Sequence, residues 1–340
     1  MFRKIVTKKR FVVLGVVAVL AVAGIELSRG RISPGELFAA SQYVGLASSA
    51  SSAVSSLTGL IRERAAVARV DEILHLPVVR YGTRSVPPGP GRLDFRGVSV
   101  RAGERVLIDH LNLVVDGGTL LAVVGRSGAG KSQFAALIGR LVDPDDGEVL
   151  LDGLALTEID RLAIRRAVGY AFERPALIGG TLADTISFGT HVPSHDAVTA
   201  AARAALADAF IRRMPVGYET LLSDAPMSGG EVQRIGLARA FAHAERVLVL
   251  DDVAASLDTV TEHEIAKALT VAMADRTRIL VAHRASTAAR GDVVLWLEDG
   301  RVKDFAPHHE LWRDADYRAL FEEPEGEPAG PVGARLGDPA

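Results

Sequence analysis

The sequence predicts an α/β domain built around a phosphate-binding turn and preceded by an α-helical hairpin that crosses a membrane. Three observations predict it. Gly125-Arg126-Ser127-Gly128-Ala129-Gly130-Lys131-Ser132 fits the pattern G-x-x-x-x-G-K-S. A distant apolar run, Arg246 to Asp252, ends in two adjacent carboxylates. Ahead of both, residues 11–25 and 37–61 carry no charge.

The phosphate-binding turn has the flanks that such a match requires. Thr119 to Gly125 reads as a buried parallel strand, and Lys131 to Arg140 has apolar residues at helical spacing. Glycines let successive backbone N–H groups converge on phosphate oxygens, and the helix N-terminus adds partial positive charge. Gly125, Arg126, Ser127, Gly128, Ala129, Gly130 and Gln133 therefore join the expected nucleotide contacts. Lys131 is expected to reach the β- and γ-phosphates, and the Ser132 hydroxyl to ligate Mg²⁺.

Composition narrows the partners. The 340 residues suit one large domain or two smaller ones. A formal net charge of −3 offers no basic field, so no nucleic-acid partner is expected. The absence of cysteine excludes disulfides, thiolate metal sites and a cysteine nucleophile.

The N-terminus reads as membrane-associated. Arg3, Lys4, Lys8, Lys9 and Arg10 precede the first uncharged stretch, which is short for a span of about 20 residues. A signal peptide has a similar form, with Ala21-Val22-Ala23 before Gly24, but an exported nucleotide hydrolase would find little ATP. The second stretch, Leu37 to Ile61, is long enough to cross a bilayer, and its many serines suit a helix packed among others. Pro34-Gly35 marks a turn between the two. Basic residues at 3–10, Arg62 and Arg64 place both ends in the cytoplasm, with Arg29 and Arg31 opposing weakly. The expected organisation is a multi-pass hairpin and exit helix over 1–76 in contact with membrane lipid, then a Pro/Gly-rich linker over 77–92. A globular domain over 93–323 and a disordered tail over 324–340 follow.

Downstream, Asp251 is expected to hold Mg²⁺ through water and Asp252 to polarise the attacking water, on a strand lying beside the first one. Ser228-Gly229-Gly230-Glu231 opens an amphipathic helix whose free N–H groups make a second anion site. Two such sites far apart in sequence suggest a nucleotide sandwiched between subunits.

These motifs together resemble the ATP-binding-cassette (ABC) transporters of the exporter type, from about Phe11 to Phe321. In that family's terms, Gly125–Ser132 is the Walker A motif and Val247–Asp252 the Walker B. Met227–Glu231 corresponds to the LSGGQ signature, Ala255–Asp258 to the D-loop, and His283 to the switch histidine. The resemblance implies ATP and Mg²⁺ as ligands and a helical subdomain around 160–235. It also implies a second ABC subunit closing head to tail, with Asp258 and the signature of one chain facing the Walker A motif of the other. Further implications are a cell-membrane location with a cytoplasmic ATPase, and an exported substrate that the sequence does not name. His283 would contact the γ-phosphate.

The chain departs from the pattern. Asp252 stands where the family has Glu, and Glu173 where it has the Q-loop Gln. A carboxylate about 5 Å from the γ-phosphate costs roughly 3 kcal/mol at an effective dielectric near 20, unless Mg²⁺ or Arg174 offsets it. Ala102 stands where an aromatic usually stacks on adenine, and Gln133 replaces a second hydroxyl. The expected assembly is therefore a heterodimer in which this chain's own hydrolytic site is weak, the alternative being a homodimer in which Asp252 and Glu173 work slowly. Two membrane helices resemble the last two of six, so the chain is expected to be truncated or completed by a companion. The rivals are a non-hydrolysing regulatory partner and a soluble ABC ATPase.

Overall fold

The computed structural model describes residues 17–46, 79–253, 259–271 and 273–322, and, singly, residues 64, 67, 70, 71 and 74. The chain divides into two compact units, Met1–Val79 and Arg80–Ala340.

In the first unit, helices run over residues 17–28 (α1) and 34–46 (α2). Local chemistry sets the break between them. Gly30 adopts φ +72°, and the Arg31 N–H closes on the Glu26 carbonyl at 3.0 Å, ending α1. Ser33 and Glu36 then cap α2 reciprocally, with Ser33 N–H donating to Glu36 Oε2 at 2.6 Å and Glu36 N–H to Ser33 Oγ at 3.3 Å. At 1.5 Å per residue the described parts of these helices run about 18 and 20 Å. No helix among the described residues is long and apolar enough to cross a membrane. Residues 11–16 and 47–61 of the two expected spans lie outside the described residues.

The second unit is α/β. A six-stranded sheet has the order β10-β9-β3-β8-β7-β6. Its strands are β3 (Leu120–Val124), β6 (Val168–Phe172), β7 (Val247–Asp251), β8 (Thr277–Val281), β9 (Val293–Glu298) and β10 (Arg301–Ala306). All neighbours pair in parallel except β9 and β10. Continuous apolar runs such as Leu120-Leu-Ala-Val-Val124 form these strands because both faces of the sheet are covered. Alternation divides the load: Leu121 and Val123 join one core, while Leu120, Ala122 and Val124 face the opposite side.

On the first face lies a second sheet, antiparallel, of order β2-β1-β4-β5: β1 (Leu93–Ala102), β2 (Arg105–Val115), β4 (Asp146–Leu151) and β5 (Leu154–Ala155). Between the sheets sit α3 (Lys131–Ile138) and α4 (Arg161–Ala167), with Phe134 of α3 fully buried against Phe95 of β1 at 5.0 Å between ring centroids. On the opposite face, α5 (Leu182–Ser187), α6 (His195–Ala204), α7 (Asp208–Ile211) and α8 (Gly229–His243) build their own core with α9 (Thr259–Val271). Short helices α10 (Ala285–Ala288), α11 (His308–Leu311) and α12 (Ala315–Ala319) surround a third cluster containing Trp296 and Tyr317.

Two expectations are corrected here. The carboxylate strand β7 does not lie beside β3; β8 is inserted between them, so about 10 Å separates the two at ordinary strand spacing. The helical layer is not the whole of 160–235: α4 packs with the first core and β6 belongs to the sheet, because Val168, Ala171 and their neighbours are apolar enough to be buried on both sides. Part of the expected linker, residues 87–92, is bound to the sheets. Arg246 Nη1 donates to the Pro87 and Gly89 carbonyls at 2.7 and 2.8 Å and to Asp152 Oδ2 at 2.9 Å. Asp152, its side chain only 3% exposed, also accepts from the Gly91 and Arg92 N–H groups. The expected exit helix retains helical backbone at the five singly described positions, and the expected tail lies outside the described residues.

Candidate functional site: a phosphate-binding cleft

The turn between β3 and α3 is shaped by glycine. Gly128 and Gly130 adopt φ +81° and +100°, and a Cβ at Gly130 would stand 2.6 Å from the Leu107 carbonyl. With no side chains in the way, the backbone wraps the N-terminus of α3 and its unpaired N–H groups. Lys131, 7% exposed, donates from Nζ to the Gly125 and Arg126 carbonyls at 2.7 and 3.1 Å. Burial lowers its pKa, and Asp252 and Asp251 oppose that shift.

Asp251 ends β7, and the backbone leaves the sheet at Asp252. Burial raises the Asp251 pKa and the neighbouring Asp252 charge adds to it, while His283, a hydrogen bond from Ser132 and Lys131 draw it back. Asp252 adopts φ +55°, a left-handed conformation uncommon outside glycine. Its Oδ2 lies 3.7 Å from His283 Nε2 just past β8. Glu173, after β6, pairs with Arg174 at 3.5 Å.

One cleft of about 520 Å³ is lined by Ser127, Gly128, Gly130, Lys131, Ser132, Gln133, Glu173, Asp251, Asp252 and His283. Gly125, Arg126 and Ala129 complete the turn without lining it, Ala129 being buried in the first core. A Ser hydroxyl and an Asp carboxylate lining one cleft suit Mg²⁺, which takes one or two protein oxygens and keeps water and phosphate oxygens as its other ligands. No group of three or more His, Cys, Asp and Glu among the described residues is arranged to hold a metal by itself. The glycine cradle and this donor pair therefore fit a magnesium nucleotide.

Ser228, Gly229, Gly230 and Glu231 do not line this cleft. They open α8, where Ser228 is the N-cap of a reciprocal box: Ser228 N–H donates to Glu231 Oε2 at 2.8 Å, and Glu231 N–H donates to Ser228 Oγ at 3.4 Å. The bond from the Ser228 backbone holds the Glu231 carboxyl below its usual range. Asp258 lies outside the described residues. Two features escaped the sequence reading. The spacing S-x-x-E at 228–231 signals the capping box and was legible. The presence of Arg105 and Leu107 in the cleft wall carries no motif and depends on how the strands assemble, whereas Phe172 and Arg174 flank Glu173 in the sequence.

A doubly covered parallel sheet, a glycine turn feeding α3 and carboxylates at the end of β7 define a P-loop nucleotide-binding domain. Comparison with known proteins agrees. Residues 108–255 match the ABC transporter family. The chain is 50% identical over 305 residues to the ABC transporter ATP-binding protein RamA of Streptomyces coelicolor, covering 89% of this chain and 48% of that one. It is 31% identical over 313 residues to the ATP-dependent lipid A-core flippase of Desulfotalea psychrophila, covering 90% and 55%. A bacterial Atm1-family ABC exporter solved with ATP bound superposes with a TM-score of 0.67 at 28% identity, covering 95% of this chain and 58% of that one. The chain belongs to the ABC transporter family, and its second unit is the ATP-binding domain of an exporter-type transporter. It spans about half the length of the curated relatives it matches.

Proposed function

We propose that the chain is the ATP-binding subunit of an exporter, acting in a dimer that closes on ATP and uses hydrolysis to reset. The observation that carries this reading is a division of labour. The phosphate turn, both β7 carboxylates and His283 share one cleft, whereas the Ser228 anion site lies elsewhere in the same chain. A second subunit, arranged head to tail, would bring its own Ser228–Glu231 and Asp258 to this cleft.

Lys131 and the turn N–H groups hold phosphate oxygens, with Gln133 beside them. Ser132 and Asp251, joined by Glu173 where Arg174 does not occupy it, would hold Mg²⁺, which neutralises phosphate charge. Asp252 orients water by accepting its proton as the water oxygen bonds to the γ-phosphorus and the bond to the β-phosphate oxygen breaks. His283 donates toward the γ-phosphate and steadies Asp252. In this reading α1, α2 and neighbouring residues contact membrane lipid as part of a multi-pass hairpin, the second unit lies in the cytoplasm, and a companion supplies further helices. The exported substrate is not specified by this chain.

Asp252 and Glu173 favour a weak site and hence a heterodimer whose stronger site uses this chain's Ser228–Gly230. The left-handed backbone at Asp252 and its approach to His283 also favour a second reading, a regulatory subunit that binds ATP with little turnover. Steady-state phosphate release by the purified full chain tests both. Slow turnover alone, raised by a glutamate-bearing partner, is the expected result. Ordinary exporter rates from this chain by itself, abolished by Asp252→Ala, would overturn the weak-site assignment.

A further inference from the structure

We propose that Arg105 forms the nucleobase wall of the cleft, its guanidinium stacking on the base in place of the aromatic ring that Ala102 does not supply. This rests on the ATP-binding reading above. Ala102 and Arg105 are direct partners across the two-residue turn Gly103-Glu104, where Gly103 takes φ +61°. Residues opposed in this way share a face of the ribbon, with Cβ atoms about 4.5–5.5 Å apart. The Ala102 methyl leaves that face open, so Arg105 stands one side-chain width from where a ring would project.

The cleft has a direction. At one end Ser132 and Asp251 line the cleft, with Asp252 and His283 adjoining. Toward the other, the glycine turn faces β2: a Cβ on Gly128 would lie 3.3 Å from Arg105 Nη2, and one on Gly130 would meet the Leu107 carbonyl. A triphosphate with its terminal phosphate at the acids therefore extends its nucleoside toward Arg105. Phe172 is the one aromatic residue in the lining, and it sits at the acidic end, in register with Asp251. Nothing flat is left at the base end except the guanidinium. Arginine planes stack on bases and are attracted to π-faces. The structure gives Arg105 no hydrogen bond or ion pair among the described residues, so stacking breaks nothing.

Equilibrium binding of MgATP and of magnesium tripolyphosphate to the purified full chain tests this, using wild type, Arg105→Ala, and Arg105→Ala combined with Ala102→Tyr. Arg105→Ala is expected to weaken ATP about tenfold and tripolyphosphate less than twofold, since only ATP carries a base. Ala102→Tyr restores ATP binding to within about threefold by supplying the missing ring. Because Arg105 is exposed, melting temperatures stay level across the series. Equal loss for both ligands would make Arg105 a phosphate contact, and unchanged ATP binding would remove it from the site; either overturns the proposal. A wild-type chain that binds neither ligand instead overturns the ATP-binding reading beneath it.

Discussion

At Asp252 the backbone, not only the side chain, separates this site from one built on glutamate. Aspartate is among the few residues that tolerate the left-handed region, because its short polar side chain bonds locally. A longer glutamate would meet that strain unaided. Asp252→Asn is expected to leave unfolding free energy within about 0.5 kcal/mol of wild type, while Asp252→Glu costs about 1 kcal/mol. Urea denaturation reads both, and a fully stable Asp252→Glu would show that the conformation does not select the residue. Lys131 and Ser132 were legible from sequence because a glycine turn before a helix determines where they point. The φ at 252 was not, since it depends on β7 ending against β8 and the loop that carries His283.

Among the elements, α8 carries a distinct local arrangement at each end. Its start is the Ser228–Glu231 box, and its end places His243, 8% exposed, beside His191 at 4.9 Å between rings. His243 Nε2 lies 3.2 Å from the Ile186 carbonyl of α5, and the Nδ1 atoms of both imidazoles are buried without partners. Burial, then His191, lowers the His243 pKa below its ordinary value of 6.5, Arg239 adding slightly and the Ile186 and Ser187 carbonyls opposing. A group with a depressed cationic pKa binds more protons unfolded than folded between the two values. Its contribution is therefore complete above about pH 6.5 and is lost as pH falls through the lower, folded pKa. Thermal unfolding should show stability dropping below pH 6.5, and His243→Gln should flatten that drop. An unchanged slope in the variant would assign the acid sensitivity to other groups. The strands flanking this layer were readable as apolar runs, whereas the pairing of two histidines 52 positions apart in sequence arises only from α8 packing under the loop after α5.

For the molecule as a whole, the proposed association would depend on the helix start of α8. A Cβ on Gly229 meets nothing within 4 Å, and an acidic residue in the first turn of a helix is favourable, so Gly229→Asp should fold normally. The added charge repels a triphosphate presented by another subunit. Nucleotide-induced self-association, followed by light scattering with the slowly hydrolysing Asp252→Ala protein, should vanish with Gly229→Asp, while nucleotide affinity of the separate chain changes less than about twofold. Association that persists would remove α8 from the subunit interface.

Sequence alone determined the strand–turn–helix that carries the phosphate cradle, the carboxylates at 251 and 252, and the α/β class, because each follows from local backbone geometry or from short-range apolar patterning. Tertiary structure alone decided that β8 separates the two chemical strands, that Arg246 and Asp152 bind residues 87–92 to the domain, and that Arg105 faces the turn at Gly128. Strand order, burial of a charge pair and the wall of a cleft all join residues far apart in sequence, and their energies exist only once the sheet has assembled.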